Sequence, residues 1–295
     1  MASTTRVRLA SRGSPLALAQ ADLVAARLRG AHRDLEVEVV VVETTGDRLA
    51  TAPLSEIGGQ GVFAKEVQLA VLAGEADLAV HSAKDLPSTT PDGLVLCCVP
   101  ERRDPADALV GRSLAGLGPG ATVATGSPRR RALLAERRPD LSFVELRGNM
   151  AARLATPGSN GIDAIVAAVA ALERLGAAHL IAERLDPSSF TPQVAQGAIA
   201  LEAREGDAAI ELTASIDDAS ARRCVNVERS FLVALGAGCT FPAGAWCTEE
   251  SPGGPLHLRA ILADSVIGSV RRFEASGDDA VALGHQAAVA LTVRS

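Results

Sequence analysis

Strand-like and helix-like segments alternate along this 295-residue chain, and the alternation restricts the fold more than any other feature of the sequence. The β-branched run over residues 36–44 is followed by a helical pattern over residues 62–74 and by an apolar strand over residues 76–82. Strands that alternate with helices of this length form parallel βαβ units. The sequence therefore predicts an α/β fold built on parallel sheets.

The chain also changes character in two places. A Gly/Pro-rich stretch over residues 111–122 separates two strand–helix series, and residues 192–204 are interpreted as a turn and strand that return to the first domain. From about residue 219, a helix and hairpin-like patterns replace the alternation. We expect two α/β domains with a cleft between them and a smaller α+β C-terminal domain. The expected ranges are 1–100 with 193–217, 101–192, and 218–295.

The composition argues against several classes of protein. The net charge is −6, and the chain has six Phe, one Trp and no Tyr, so it lacks both a basic face and a stacking platform for nucleic acid. No apolar run reaches membrane-spanning length, and the first residues, MASTTRVRLASRG, lack the apolar core of a signal peptide. Walker A, G-x-G-x-x-G and metal-type cysteine motifs are missing from the sequence. We expect a cytoplasmic protein that binds no nucleic acid, membrane or metal.

Seven arginines lie between residues 129 and 153 of this acidic chain, with only three carboxylates among them. The first three follow Thr125-Gly126-Ser127-Pro128, an order that predicts a strand end, a turn and a helix start. The free N–H groups of that helix and the guanidinium groups would face one anion. Arg137 and Arg138 are interpreted as solvated charges at the helix end.

Charged and hydroxyl side chains follow four predicted strands, where parallel sheets place their ligand crevices. Asp85 is a lone carboxylate among them, suited to protonating a leaving group or balancing a transient cation. A plain surface ion pair between Lys84 and Asp85 is the alternative. The four strand ends predict one polyanion site shared between two domains. Its residues are Arg12, Ser14, His81, Lys84, Asp85, Thr125–Arg130, Arg147 and Asn149.

Two further segments have more than one interpretation. Residues 45–61 are rich in Gly and small polar residues and fit either an ordinary surface loop or a mobile lid. Cys239 lies in LGAGCTFPAG, whose glycines would let a bulky group approach the backbone, although the local sequence alone favours a buried structural thiol. The other cysteines are expected to be free thiols, with Cys97 and Cys98 inside a strand.

Nine stretches of the chain, in order, resemble the hydroxymethylbilane synthase (porphobilinogen deaminase) family. They include ASRGSPLALAQ, GGQGVFAKE, ADLAVHSAKDLP, ATGSPRRRALLAERRPDL and LGAGCTFPAG. The resemblance implies two type-2 periplasmic-binding-protein-like domains flanking a cleft plus the small C-terminal domain. It also implies that Cys239 carries a covalent dipyrromethane cofactor through a thioether, which replaces the structural interpretation. The implied reaction joins four porphobilinogen molecules head to tail, releases ammonia each time, and hydrolyses linear hydroxymethylbilane from the cofactor.

The resemblance also implies roles for individual residues. Asp85 is implied to be catalytic, beside the pyrrole nitrogens, where it stabilises an azafulvene cation and assists proton transfer. The implied cofactor-binding residues, besides Cys239, are Lys84, Thr125, Ser127, Arg129, Arg130, Arg147 and Gln196. The implied substrate-binding residues are Arg12, Ser14, Gln20, Phe63, Arg147, Arg153 and Arg174. A monomer is expected, and its product is expected to pass to uroporphyrinogen-III synthase.

Four positions depart from the family pattern. Glu56 and Gln60 stand where lysines are common in the family, so no lysine contact with a carboxylate is expected from these two positions. Gly126 replaces a Ser and Ala195 a Gly, and both swaps predict altered detail with activity retained. The alternative function is a non-catalytic, two-lobed binding protein for a small carboxylate anion.

Overall fold

The computed structural model describes residues 5–44, 61, 63–236, 241–264 and 269–293. The chain divides into two compact units. Unit 1 spans Met1–Arg102 and Ala198–Arg222, and unit 2 spans Arg103–Gly197 and Arg223–Ser295. A separate third domain for residues 218–295 stays a prediction.

Unit 1 is built on one five-stranded sheet of order β2-β1-β3-β10-β4. Strand β1 is parallel to β2 and β3, whereas β10 is antiparallel to its neighbours β3 and β4. Its core holds Leu9, Val24, Leu78 and Leu201, all without solvent exposure. The elements are β1 (Thr5–Arg12), α1 (Pro15–Ala31), β2 (Leu35–Val42), α2 (Lys65–Leu72), β3 (Leu78–Ser82), β4 (Leu94–Arg102), β10 (Ala198–Arg204) and α6 (Ala209–Thr213).

Unit 2 contains a second five-stranded sheet, of order β7-β6-β8-β5-β9, and a three-stranded antiparallel sheet, β11-β12-β13. Ile261 of the smaller sheet packs into the core of the larger one with Leu133 and Phe190. The elements are β5 (Asp107–Val110), β6 (Thr122–Ala124), α3 (Pro128–Arg137), β7 (Ser142–Val144), α4 (Met150–Leu154), β8 (Ala164–Ala168), α5 (Val169–Arg174), β9 (Ile181–Leu185), β11 (Ala243–Glu249), β12 (Leu256–Ala263), β13 (Val270–Gly277) and α8 (Ala280–Thr292). Helix α7 (Ala219–Ala234) begins in the last residues of unit 1 and continues into unit 2.

The two five-stranded sheets share one plan. In each, three parallel strands are followed by one antiparallel strand and an edge strand, and the antiparallel strand is β10 in unit 1 and β5 in unit 2. Of the segment 192–204, which was predicted to return to the first domain, residues 198–204 form β10, which pairs with both β3 and β4, whereas residues 192–197 belong to unit 2. The α/β fold class is confirmed as well.

Two local differences from the sequence predictions have physical causes. The apolar run over residues 164–172 forms two elements: β8 ends at Ala168 and α5 begins at Val169, although the run carries no polar residue to mark the change. Strand β5 was not predicted, since its four residues are all buried and show no alternation.

Candidate active site

The carboxyl ends of β1 and β3 lie at the same edge of the unit 1 sheet, because the two strands are parallel neighbours. Arg12, the last residue of β1, stacks over the Phe63 ring with 4.3 Å between the guanidinium carbon and the ring centroid. A planar guanidinium that stacks on an aromatic face is held in one orientation. The structure therefore brings together two residues that were predicted to bind substrate.

Hydrogen bonds link helix α1 to the end of β3. The Ser14 hydroxyl caps the helix by accepting the Ala17 N–H at 3.3 Å. The amide of Gln20, only 2% exposed, donates to the Ser82 hydroxyl at 2.9 Å and accepts from it at 3.0 Å. In the described structure Gln20 thus anchors the segment that leads to Lys84 and Asp85.

Lys84 and Asp85 lie in a single 3-10 turn, Ala83–Asp85, directly after β3. Both side chains are half-buried. No described residue forms an ion pair with the Asp85 carboxylate, so the surface pair with Lys84 is not seen in this part of the chain. The carboxylate therefore lies at a strand end and forms no ion pair with the described residues.

A buried polar cluster lies behind that turn. His81 Nε2 is 3.2 Å from the Glu202 carboxylate, and Gln68 of α2 donates to the same carboxylate at 2.8 Å. Because β3 and β10 are paired, Glu202 reaches His81 across the sheet. The cluster fixes β3 against β10 and α2 immediately before Lys84 and Asp85.

In unit 2, the predicted strand–turn–helix over residues 124–130 is confirmed. Strand β6 ends at Ala124, Pro128 begins α3, and the Ser127 hydroxyl caps the helix by accepting the Arg130 N–H at 3.4 Å. The Thr125 hydroxyl accepts the Ser127 N–H at 3.2 Å. Two hydroxyl groups and the positive end of a ten-residue helix thus lie together at the end of a parallel strand.

Arg129 and Arg130 both bind the fully buried carboxylate of Asp107, the first residue of β5. Arg129 Nη2 donates at 2.7 Å, and Arg130 donates from Nε at 3.0 Å and from Nη2 at 2.6 Å. Arg129 is only 2% exposed, and its Nη1 donates to the Thr191 carbonyl at 2.7 Å. The structure encloses the Arg129 guanidinium within unit 2, so its contact with a cofactor stays a prediction.

Gln196 completes this cluster from a loop. Its Nε2 donates to Asp107 Oδ1 at 2.9 Å and to the Pro105 carbonyl at 2.7 Å, and its Oε1 accepts from Arg130 Nη2 at 3.4 Å. Burial alone would raise the pKa of the Asp107 carboxyl, but the charges of Arg129 and Arg130 outweigh burial and hold that pKa well below its ordinary value. Asp107 thus remains a carboxylate at every physiological pH.

The other three arginines of unit 2 that were predicted to bind cofactor or substrate donate to local oxygen atoms. Arg147 pairs with Glu145 at 2.6 Å, and Arg153 Nε donates to the Gly148 carbonyl at 2.8 Å. Arg174 Nη2 donates to the Gly197 carbonyl at 2.7 Å. These three predicted site residues lie in unit 2, while Arg12, Ser14, Gln20, Phe63, Lys84 and Asp85 lie in unit 1. A site shared between the two groups stays a prediction.

The interpretation of Arg137 and Arg138 as solvated charges is wrong. Arg137 lies over the Phe190 ring at 4.8 Å, and Arg138 donates to the carbonyls of Leu114 and Leu117 and pairs with Asp140. Both side chains are partly buried because α3 packs them against neighbouring loops.

Comparison with known proteins decides the family. The family model described as porphobilinogen deaminase, dipyromethane cofactor binding domain, matches residues 7–212, and the porphobilinogen deaminase C-terminal domain matches residues 222–292.

This chain belongs to the porphobilinogen deaminase family.

Curated relatives agree with this assignment over nearly the whole chain. A porphobilinogen deaminase of Stenotrophomonas maltophilia (strain K279a) is 45% identical over 288 residues, which cover 96% of this chain and 94% of the relative. A porphobilinogen deaminase of Xanthomonas euvesicatoria pv. vesicatoria (strain 85-10) is 45% identical over 293 residues, or 97% and 96% of the two chains. Among solved structures, the methionine-binding protein MetQ aligns with a TM-score of 0.45 at 13% identity, covering 77% of this chain and 96% of that one.

The donors described above fit the dipyrromethane cofactor of porphobilinogen deaminases. Such a cofactor carries acid side arms, and unit 2 offers hydroxyl groups, a helix N-terminus and arginines at one sheet edge. The fit rests on the chemistry of these donors. Cys239, Glu56, Gln60 and nearly all of the segment 45–61 lie outside the described residues, so the attachment residue stays a prediction.

The four described cysteines are buried or half-buried. Cys97 and Cys98 lie in β4, as predicted, and burial raises the pKa of the Cys97 thiol to about 11 and that of Cys98 further still. Cys224 and Cys247 are buried. A thiol with a raised pKa forms little thiolate at neutral pH and is a poor nucleophile.

Proposed function

We propose that this chain is a hydroxymethylbilane synthase. It condenses four porphobilinogen molecules head to tail onto a covalently bound dipyrromethane, releases ammonia each time, and hydrolyses the linear product free. The observation that carries the proposal is the match to both porphobilinogen deaminase domains, with 45% identity to a curated porphobilinogen deaminase over 96% of the chain.

Asp85 is the proposed catalytic residue. Its position in the 3-10 turn directly after β3, next to Ser82, which Gln20 holds by hydrogen bonds, supports this role. When ammonia leaves porphobilinogen, the pyrrole becomes cationic, and a nearby carboxylate stabilises that charge and assists proton transfer. A neutral amide at this position could do neither.

The cationic and hydroxyl groups are proposed to hold acid side arms. Arg12 and Phe63 would orient porphobilinogen with Ser14, Gln20, Arg147, Arg153 and Arg174. Lys84, Thr125, Ser127, Arg129, Arg130, Arg147 and Gln196 would hold the cofactor, and Cys239 would attach it. When bound, dipyrromethane supplies the electron-rich pyrrole on which chain growth starts. Guanidinium groups suit planar carboxylates because both form paired hydrogen bonds.

The cellular setting is also proposed. No helix of the described residues is long and apolar enough to cross a bilayer. We place the enzyme in the cytoplasm as a monomer that passes its linear product to uroporphyrinogen-III synthase.

Intact-mass measurement tests the proposal directly. Purified protein should exceed its sequence mass by one dipyrromethane and should release ammonia from porphobilinogen. Cys239→Ala should remove the excess mass and the activity, whereas Cys247→Ala, at a buried thiol of β11, should keep both. Unmodified mass in an active preparation would refute the cofactor assignment. An unmodified, inactive protein that binds small carboxylates would support the binding-protein alternative.

A further inference from the structure

The carboxylate of Asp107 makes more contacts than a counter-ion for one buried arginine requires. Oδ2 accepts from Arg129, while Oδ1 accepts from Arg130 Nε, Arg130 Nη2 and Gln196 Nε2. Asp107 itself is fully buried at the start of β5. One side chain therefore joins three residues to which the proposed function gives a cofactor-binding role.

Consecutive residues on a helix point in directions about 100° apart, so Arg129 and Arg130 would not converge by themselves. Asp107, which comes from a different element, draws both guanidinium groups to one point. The two arginines contribute a charge of +2 and Asp107 contributes −1, which leaves +1 for the cluster. The carboxylate thus sets both the direction and the net charge of the pair.

Arg130 is the member of the pair that reaches solvent. Its side chain is 13% exposed, against 2% for Arg129. Its other anchors are the Val166 carbonyl, which accepts from Nη1 at 3.1 Å, and Gln196. A guanidinium held at Nε, Nη1 and Nη2 keeps one orientation, which a lysine ammonium could not reproduce.

We propose that Asp107 is a positioning residue for the reaction proposed above, on which this inference rests. It fixes the Arg130 guanidinium beside the N-terminus of α3 and limits the cluster to one net positive charge. The carboxylate groups of the cofactor then bind a guanidinium of fixed orientation. Without Asp107, the Arg129 and Arg130 guanidinium groups would repel each other and would be free to move.

The central variant is Asp107→Asn, which keeps the shape and removes the charge. We expect the cofactor-loaded fraction, read as intact mass, to fall, and in the loaded protein the KM for porphobilinogen to rise about tenfold while kcat changes less. Asp163→Asn is the matched control, because Asp163 also binds within the unit 2 sheet, through the Thr122 N–H at 2.9 Å. That control should keep wild-type loading and KM even where its Tm falls.

A double-mutant cycle separates positioning from mere stability. Arg130→Lys keeps the charge and leaves the Asp107–Arg129 pair intact, and it should reproduce the loading and KM defects. If Asp107 acts through Arg130, the effects of Asp107→Asn and Arg130→Lys on KM will not add in the double variant. Additive effects, or wild-type loading and KM in Asp107→Asn, would overturn the proposal.

Two other outcomes are also decisive. If Asp107→Asn fails to fold, Arg130→Lys decides alone, because normal loading and KM in that variant would show that the fixed guanidinium direction is unnecessary. Wild-type protein in the same experiment reports on the proposed function. A wild-type protein without the added mass and without ammonia release would refute both proposals, whereas a loaded, active wild type with an unaffected Asp107→Asn would refute only this one.

Discussion

Glu228 accepts the backbone N–H of Ala195 at 2.6 Å, and Ala195 is held in the left-handed region of backbone space with φ of 58°. The other oxygen of this fully buried carboxylate accepts the Cys247 N–H at 2.7 Å. One side chain of α7 therefore ties β11 to the turn that precedes Gln196. An L-residue with a side chain rarely adopts a positive φ, so Ala195 carries a conformational cost that the structure must offset.

Replacing Ala195 by Gly should stabilise the protein. A left-handed conformation costs an L-residue about 1–2 kcal/mol, and glycine avoids this cost. The greater conformational freedom of glycine in the unfolded chain offsets roughly 0.5–1 kcal/mol of the stabilisation. We expect a net increase of about 0.5–1 kcal/mol in the free energy of unfolding. Urea titration followed by the fluorescence of the single tryptophan, Trp246, measures it.

Asn160→Gly is the control for that measurement. Asn160 is exposed and also has a positive φ, 50°, but asparagine tolerates this region better than alanine. The increase in the free energy of unfolding should therefore be smaller for Asn160→Gly than for Ala195→Gly. A loss of stability in Ala195→Gly would contradict the assignment of strain to this residue.

Gly244 marks a place where backbone must approach Arg129 closely. A Cβ at this position would lie 2.6 Å from the Pro192 carbonyl oxygen and 2.9 Å from Arg129 Cδ. Gly244→Ala should therefore destabilise the protein by roughly 1–3 kcal/mol through overpacking, and should lower cofactor loading if Arg129 is displaced. Thermal unfolding and intact mass report the two effects. Gly118→Ala, where a Cβ meets nothing within 4 Å, should be neutral, and equal losses in both variants would count against the close-approach argument.

Acid sensitivity should follow from the depressed pKa of Asp107. In the unfolded chain the Asp107 carboxyl has a pKa of about 3.9. The contribution of ionised Asp107 to the free energy of unfolding is therefore complete above about pH 5, and it is lost as the pH falls toward the lower pKa of the folded protein. Wild-type stability should therefore decline with acid below about pH 5 more steeply than that of Asp107→Asn. Urea unfolding at a series of pH values tests this. If the free energy of unfolding falls equally steeply below pH 5 in the two proteins, Asp107 does not contribute to the acid sensitivity.

Asp85→Asn should separate cofactor retention from turnover. The substitution keeps size and removes the charge, so the added dipyrromethane mass should persist while the turnover number falls on the order of 10²–10⁴-fold. Steady-state assay of porphobilinogen consumption, normalised to loaded protein, gives the number. Asp92→Asn, at an exposed carboxylate beyond the same strand, should behave as wild type. Turnover near normal in Asp85→Asn would rule out its proposed role.

Features that depend on neighbouring residues could be predicted from the sequence, whereas contacts between residues far apart in the chain could not. The helix start at Pro128 was predictable because a Ser cap and a Pro act within one turn. Asp107 was not, since its partners Arg129, Arg130 and Gln196 lie 22, 23 and 89 residues away along the chain. The error at Arg137 has the same cause, because the ring it covers, Phe190, belongs to a distant loop.

The position of β10 has a consequence for biosynthesis. This strand separates β3 from β4, yet it is translated after the whole of the second five-stranded sheet. A chain that ends before Ala198 contains all five strands of the later sheet, while the earlier sheet still lacks the strand that joins its two parts. Of the two five-stranded sheets, the one that is begun first therefore receives its last strand second, and truncation before residue 198 should leave it open to proteases.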